Sequence, residues 1–201
     1  KGFQRPFGVA IAPCGTFALV ANMGSNNITR IDLRKDGSTT PTVIARKADG
    51  IRTPEGIDIA ADGTFALVAN YGANNIARIE LPSGAVTFPY AVRSVGIAIA
   101  PDSSFALCAP QKFGITRIDL RDGTVTKNAY SGFHGCCGVA ISPDASFALV
   151  ANTSASGDKN IGRIDLVTGA VSFIGYNSKK LQINLALNYG SKSELINAIN
   201  L

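Results

Sequence analysis

The side chains of this sequence that could do chemistry are few, and they lie close to one repeated phrase. Asp58 stands where the other copies of the phrase carry alanine, and Glu55 lies just before it; His134 is the one histidine. A carboxylate in a narrow, poorly hydrated space needs a hydrogen-bond donor, a cation or a raised pKa. Asp58, Glu55 and His134 are therefore the catalytic candidates. The alternative, in which Asp58 bonds backbone amides or water, stays open beside this reading.

A basic or potentially basic residue precedes each copy of the phrase. These residues lie three or four positions before its first glycine: Arg5, Arg52, Arg93 and His134. If the copies of the phrase are arranged around a common axis, four such side chains would lie together and would suit a carboxylate or a phosphate. We predict that they bind a ligand, with four solvated loop residues as the alternative.

Complete catalytic or metal constellations are missing from the sequence. There is no G-x-S-x-G nucleophile motif, and no second or third acidic residue occupies positions equivalent to Asp58 as a calcium site would need. Cys136 and Cys137 are adjacent and cannot easily bind one tetrahedral ion together. We predict no metal and no cofactor, and the balance is against an enzyme.

Two patterns concern the compartment of the protein. Cys136 and Cys137 could form a vicinal disulfide in an oxidising compartment, with free thiols as the alternative. Asn27-Ile28-Thr29 and Asn152-Thr153-Ser154 fit the glycosylation acceptor pattern. These patterns favour an extracellular or organelle-lumen location without fixing it.

The phrase itself recurs four times. It begins at Gly8, Gly56, Gly96 and Gly138, with spacings of 48, 40 and 42 residues. Its first two copies read GVAIAPCGTFALVANMGSNNITRIDL and GIDIAADGTFALVANYGANNIARIEL. Each copy holds three short apolar runs separated by turn residues, and a fourth run follows, which predicts four strands per repeat. Four strands per ~40 residues is the unit of a β-propeller blade.

The predicted fold class is therefore all-β, with a β-propeller region over residues 1–176 and blades at about 5–46, 52–90, 93–130 and 135–176. An arginine recurs on the third strand of each copy, two residues before an acidic residue. The set is Arg30, Arg78, Arg117 and Arg163. We interpret this series as structural, satisfying charge between blades.

The repeated phrases resemble those of the NHL and YVTN families of β-propellers, over roughly residues 5–176. The resemblance implies a recognition platform, since members are mostly binding scaffolds with a minority of lactonases and lyases. Those families usually close with six or seven blades, whereas four are present here. A small closed ring, a fragment of a longer propeller and a half-ring that pairs with another chain all stay open, and an open set would expose apolar faces that favour self-association.

Residues 177–201 depart from the repeat and predict a short strand, turn and helix. Ser191 and Glu194 fit a capping box at the start of that helix. The segment INLALNYGSKSELINAI resembles a stretch of cis-prenyltransferases (undecaprenyl diphosphate synthases) that reads Asn-Tyr-Gly-Gly-Arg, which maps onto Asn188, Tyr189 and Gly190. Ser191 and Lys192 replace the Gly and Arg of that stretch. The diphosphate-binding and magnesium-binding motif of that family is missing, so we do not expect prenyl transfer.

Composition narrows the function further. The chain has 201 residues, 46% of them hydrophobic and 16% charged, with a net charge of +5. The basic residues are dispersed and no long apolar run occurs, so neither nucleic acid nor a membrane span is expected. We predict a non-enzymatic scaffold that recognises a protein, peptide or glycan through loops at one mouth. The alternatives are a lactonase-like hydrolase or lyase acting on a small anionic substrate, and a structural subunit of an extracellular assembly.

Overall fold

The fold is a row of four β-sheets. The computed structural model describes residues 3–34, 36–37, 39–112, 114–153 and 160–174. Within these residues each sheet has four antiparallel strands in sequence order, so every repeat of the sequence forms one blade. Two short 3₁₀ turns, at 47–49 and 71–73, connect strands.

The strand bounds follow the repeat. The first blade holds β1 (Pro6–Ile11), β2 (Phe17–Asn22), β3 (Asn27–Leu33) and β4 (Thr39–Ala45). The second holds β5 (Pro54–Ile59), β6 (Phe65–Asn70), β7 (Asn75–Glu80) and β8 (Val86–Tyr90). The third holds β9 (Gly96–Ile99), β10 (Phe105–Ala109), β11 (Ile115–Asp119) and β12 (Val125–Tyr130). The fourth holds β13 (Cys136–Ile141), β14 (Phe147–Asn152), β15 (Ile161–Asp165) and β16 (Val171–Ile174).

The tight turns between the first two strands of the blades share a hydrogen-bonding pattern. In three blades an aspartate accepts hydrogen bonds from the backbone and hydroxyl of a Ser or Thr two residues later, as Asp62 does from Thr64 at 3.0 and 2.8 Å. The next turn position has a left-handed backbone, at Gly15, Gly63, Ser103 and Ala145. Asx turns of this kind reverse the chain between two apolar runs.

The core lies between consecutive blades. Residues on one face of the first blade, such as Leu19, pack with Ile57, Ile59 and Ile79 on the facing side of the second. The opposite face of the second blade, including Leu67, packs on the third in the same way, and the third packs on the fourth. Because successive residues of a strand point to opposite faces, β6 and β10 are buried on both sides. This burial explains why their sequences are nearly continuous apolar runs.

Glycines let the first strands of neighbouring blades approach closely. A Cβ added to Gly8 would overlap the carbonyl oxygen of Glu55, and one on Gly56 would lie 2.6 Å from the oxygen of Val95. A Cβ on Gly96 would lie 2.6 Å from the oxygen of Cys137. These strands therefore pack backbone to backbone along the inner side of the array. The glycine that opens each repeat is an interface residue.

The blades form an open row in the described part of the chain. β1 is largely solvent-exposed, with Phe7 54% and Val9 42% accessible, whereas the first strands of the second and third blades are mostly buried. In β14 the side chains alternate between buried and half-exposed, unlike the wholly buried β2, β6 and β10. The predicted all-β propeller architecture with four-stranded blades is confirmed. The predicted strand, turn and helix in 177–201 lie outside the described residues.

Candidate binding rim

The four predicted basic residues lie at one end of the blades. Each comes just before the first strand of its blade, and the first strands run in one direction along the inner side of the array. All four side chains are solvent-exposed: Arg5, Arg52, Arg93 and His134. Since the second strand of each blade runs antiparallel to the first, the loops that follow the second strands end at the same edge. We call this edge the basic rim.

Buried asparagines at the ends of the second strands hold the rim backbone in place. The side-chain oxygen of Asn70 accepts a hydrogen bond from the Arg52 amide at 2.6 Å, and that of Asn152 accepts one from the His134 amide at 2.6 Å. Asn70 also donates to the carbonyl of Gly50 at 3.2 Å. These contacts fix the segments that lead into β5 and β13. The sequence signal for this anchoring is the repetition of Asn at the end of the second apolar run, at Asn22, Asn70 and Asn152.

Two of the rim guanidinium groups have defined surroundings. The Arg93 guanidinium lies 4.1 Å from the centroid of the Tyr71 ring, and the Tyr71 hydroxyl donates to the side-chain oxygen of Gln111 at 2.9 Å. The Arg52 guanidinium donates to the carbonyls of Lys47 at 2.6 Å and Ile51 at 3.0 Å. The Tyr71 contacts join the second blade to the third. The guanidinium groups are thus held in place by contacts within the protein.

Glu55 is the carboxylate next to this rim. It is only 8% exposed, and burial raises its pKa, while the positive charge of Arg93 lowers it. No hydrogen bond or ion pair among the described residues links His134 to Glu55 or Asp58. The structure therefore does not assemble the three catalytic candidates into one site, and their catalytic role stays a prediction.

Asp58 is held between two blades. One carboxylate oxygen accepts from the Ile59 amide at 2.8 Å, and the other accepts from the Ile99 amide at 2.7 Å, across the boundary between β5 and β9. Burial raises the pKa of Asp58 to about 6, with the two amides acting in the opposite direction. No group of three or more His, Cys, Asp and Glu that could hold a metal occurs in the described ranges. The hydrogen-bonding interpretation of Asp58 fits this geometry.

The two adjacent cysteines are free thiols in the structure and have different surroundings. Cys136 is fully buried in the core between the third and fourth blades, and burial, followed by the neighbouring Cys137, raises its pKa to about 11. The Cys137 thiol lies 3.4 Å from both the Gly135 carbonyl and the Thr153 hydroxyl. A vicinal disulfide is not formed here.

The two glycosylation acceptor patterns differ in exposure. Asn152 is 1% exposed and its side-chain oxygen accepts the hydrogen bond from the His134 amide, which counts against a glycan there. Asn27 is half-buried.

The opposite rim carries acidic turns. Hydrogen bonds from neighbouring Ser and Thr side chains and amides lower the pKa of the turn aspartates, which are Asp62, Asp102 and Asp144. These turns connect the first and second strands and therefore lie at the far end from Arg52 and Arg93. The turn aspartates and the basic rim therefore lie at opposite ends of the blades.

The recurring arginines of the third strands contact side chains of their own blades, whereas we predicted that they satisfy charge between blades. Each guanidinium lies over a phenylalanine of its own blade, as Arg78 does over Phe65 at 3.6 Å from the ring centroid. Arg78 also pairs with Glu80 on the same strand at 2.5 Å. The register of the two strands explains this contact. Arg78 lies opposite Leu67 and Glu80 lies opposite Phe65, so Phe65 is the diagonal neighbour of Arg78 on the same face of the sheet. The same stacking occurs in the other blades.

Comparison with known proteins supports the fold alone. No family model matches the chain. No curated protein sequence matches it either. Solved structures do match: hydrazine synthase of Kuenenia stuttgartiensis has a TM-score of 0.72 at 20% identity and covers 87% of this chain and 51% of its own. TolB of Acinetobacter baumannii has a TM-score of 0.67 at 17% identity, and the match covers 86% of this chain and 44% of TolB.

A third structure, described as a candidate 6-phosphogluconolactonase from Bacteroides uniformis, has a TM-score of 0.63 at 15% identity, with 84% and 53% covered. This chain therefore spans about half the length of each neighbour. The neighbours range from enzymes to TolB, and all are propeller-like. The fold is that of propeller blades. None of the helical segments in the described ranges is long and apolar enough to cross a membrane.

Proposed function

We propose that this chain is a non-enzymatic binding module of the NHL or YVTN type, and that its basic rim recognises an acidic segment of a protein or peptide. The observation that supports this proposal best is the set of four exposed basic residues, one per blade, at one end of a rigid array. Guanidinium groups bind carboxylates in two-pronged hydrogen bonds, and preorganised groups bind more tightly than mobile ones.

A peptide is favoured over a glycan for a structural reason. Sugar rings bind proteins largely by packing on exposed aromatic faces, and at the middle of the rim the Tyr71 ring has one face covered by the Arg93 guanidinium. Acidic side chains, by contrast, match the charge of Arg52 and Arg93 directly. The hydrolase alternative has less support, because both carboxylate oxygens of Asp58 already accept hydrogen bonds from backbone amides.

Binding of a labelled polyglutamate peptide, followed by fluorescence anisotropy, tests the proposal, with polylysine as the negative probe and heparin as the acidic-glycan probe. The Arg52→Gln/Arg93→Gln variant should weaken polyglutamate binding by about tenfold or more, and added salt should weaken binding to the unsubstituted protein. Circular dichroism checks that the variant is folded.

The matched control is Arg121→Gln. Arg121 is exposed at the opposite rim, 3.8 Å from Asp102, and its loss removes one positive charge without touching the basic rim. Because the control removes one charge and the rim variant two, a loss of binding free energy in the control of about half that in the rim variant would show a nonspecific charge effect and contradict the proposal. No polyglutamate binding, or binding of heparin alone, would overturn recognition of an acidic peptide.

A further inference from the structure

Each end of the blade row exposes apolar side chains whose equivalents are buried between blades, although Ala18 and Val20 of β2, on the outer side of the first blade, are themselves buried. On the first blade, Val9 and Ile11 of β1 are 42% and 37% exposed. Their equivalents in the next two blades lie in the cores between blades and are 5–7% exposed: Ile57, Ile59, Ile97 and Ile99. We call the exposed side of the first blade, with Val9, Ile11 and Ile31, the leading face.

The last blade exposes the opposite side of the same interface. Phe147, Leu149 and Ala151 of β14 are half-exposed. At the equivalent positions of the first three blades the leucines are fully buried against the following blade: Leu19, Leu67 and Leu107. We call this side, with Phe147, Leu149 and Ala151, the trailing face. Among the described residues, no blade packs on either face.

Gly138 lacks the neighbouring strand that the other repeat glycines contact. The glycines that open the first three repeats are each pressed against the first strand of the following blade. At Gly138 an added Cβ would meet only Ala151 of its own blade, at 3.8 Å, and its backbone is not in the left-handed region that favours glycine. Nothing within its own blade therefore requires glycine at this position. A following first strand would require it.

We infer that a second copy of this chain packs its leading face on this trailing face, and offers its own trailing face in return. The contact would repeat the three interfaces already present inside the chain. In each of these, the residues equivalent to the trailing face of one blade pack on the residues equivalent to the leading face of the next blade. A leading face on a trailing face is a head-to-tail contact, which closes when two copies satisfy both ends.

Light scattering coupled to gel filtration tests this inference on the full chain. The expected mass is twice the 20.9 kDa of one chain, falling toward one chain mass on dilution. Val9→Asp places a charge at the centre of the leading face and should raise the dimer Kd by about 100-fold. Gly138→Ala adds one methyl group on the trailing side and should raise it by about tenfold.

The matched control is Val167→Asp, since Val167 is 82% exposed in a turn that belongs to neither face. This variant should keep the parent mass. Circular dichroism must be unchanged in all three variants, and both interface positions are open in one chain, so the fold should tolerate them. A mixture of Val9→Asp and Gly138→Ala chains should recover part of the dimer, because one intact interface can form between them.

Each alternative result decides against the inference. A parent protein that stays at one chain mass at high concentration would overturn it. A dimer that responds to Val9→Asp but not to Gly138→Ala would mean that two leading faces pair with each other, which overturns the head-to-tail contact. Masses that grow without limit with concentration would overturn closure by two copies.

Discussion

The carboxylate of Asp58 should make the stability of this protein fall as the pH rises through the weakly acidic range. Its pKa is raised from 3.8 to about 6 in the folded chain, mainly by burial. Between these values the folded state binds more protons than the unfolded state, so unfolding becomes easier as the pH increases. The difference of about two pKa units corresponds to about 3 kcal/mol, the cost of burying the ionised form.

The perturbation is Asp58→Ala, because alanine occupies the equivalent position in the other three blades. The free energy of unfolding is measured by urea titration from about pH 4 to about pH 7 for both proteins. Subtracting the two profiles removes the contributions of the turn aspartates, which are unchanged. At low pH the variant should be the less stable protein, since the Ile59 and Ile99 amides both lose their side-chain acceptor.

Relative to the variant, the parent protein should lose up to about 3 kcal/mol across this interval, with most of the change between the two pKa values. The slope of the difference between the two profiles reports the net pKa shift of Asp58, in which burial outweighs the two amide hydrogen bonds, and the offset at low pH reports the protonated side chain against alanine. Two parallel profiles would refute the reasoning, because they would mean that Asp58 has the same pKa in the folded and unfolded chain.

Three further predictions concern packing, anchoring and thiol chemistry. Gly56→Ala should lower the free energy of unfolding by about 1 to 3 kcal/mol, because its Cβ would lie 2.6 Å from the Val95 carbonyl oxygen, and an unchanged urea midpoint would contradict this. Asn70→Ala should cost about 2 kcal/mol because it leaves the Arg52 amide without its acceptor, whereas the exposed-site control Ser83→Ala should stay within about 0.5 kcal/mol. Under native conditions Ellman's reagent should react rapidly with Cys14, which is exposed and has its pKa lowered chiefly by Thr16. Buried Cys108, with its pKa raised to about 12, should react only on unfolding, and equal rates would refute the assignment.

The fold was predictable because the signals were local and repeated. Alternating apolar runs, an Asp-containing turn and a period near that of a propeller blade recur four times, and each recurrence supports the others. The position of the basic residues before each first strand was predictable for the same reason. A residue at a fixed place in every repeat must occupy the same place in every blade.

The contacts that shape the candidate site depend on neighbouring blades and could not be predicted. The stacking of Arg93 on Tyr71 joins residues of different repeats, and the hydrogen bond from Ile99 to Asp58 crosses a blade boundary. Sequence spacing does not show which loops meet across such a boundary. The stacking of the third-strand arginines was missed for a related reason, since it depends on strand register, which places each of them over a phenylalanine of its own blade.

Assembly and binding are linked in this architecture by the position of the rim. Arg5 and His134 belong to the two end blades, so a copy added at either end extends the row of basic side chains by a full set of its own. The number of charges that an acidic partner meets therefore depends on how many blades are joined. The two proposals remain separable, because Arg52 and Arg93 lie in the middle blades, whereas Val9 and Gly138 lie on the outer faces. Binding that weakens in the Arg52→Gln/Arg93→Gln variant while the mass is unchanged would locate recognition at the rim, independently of how the ends are covered.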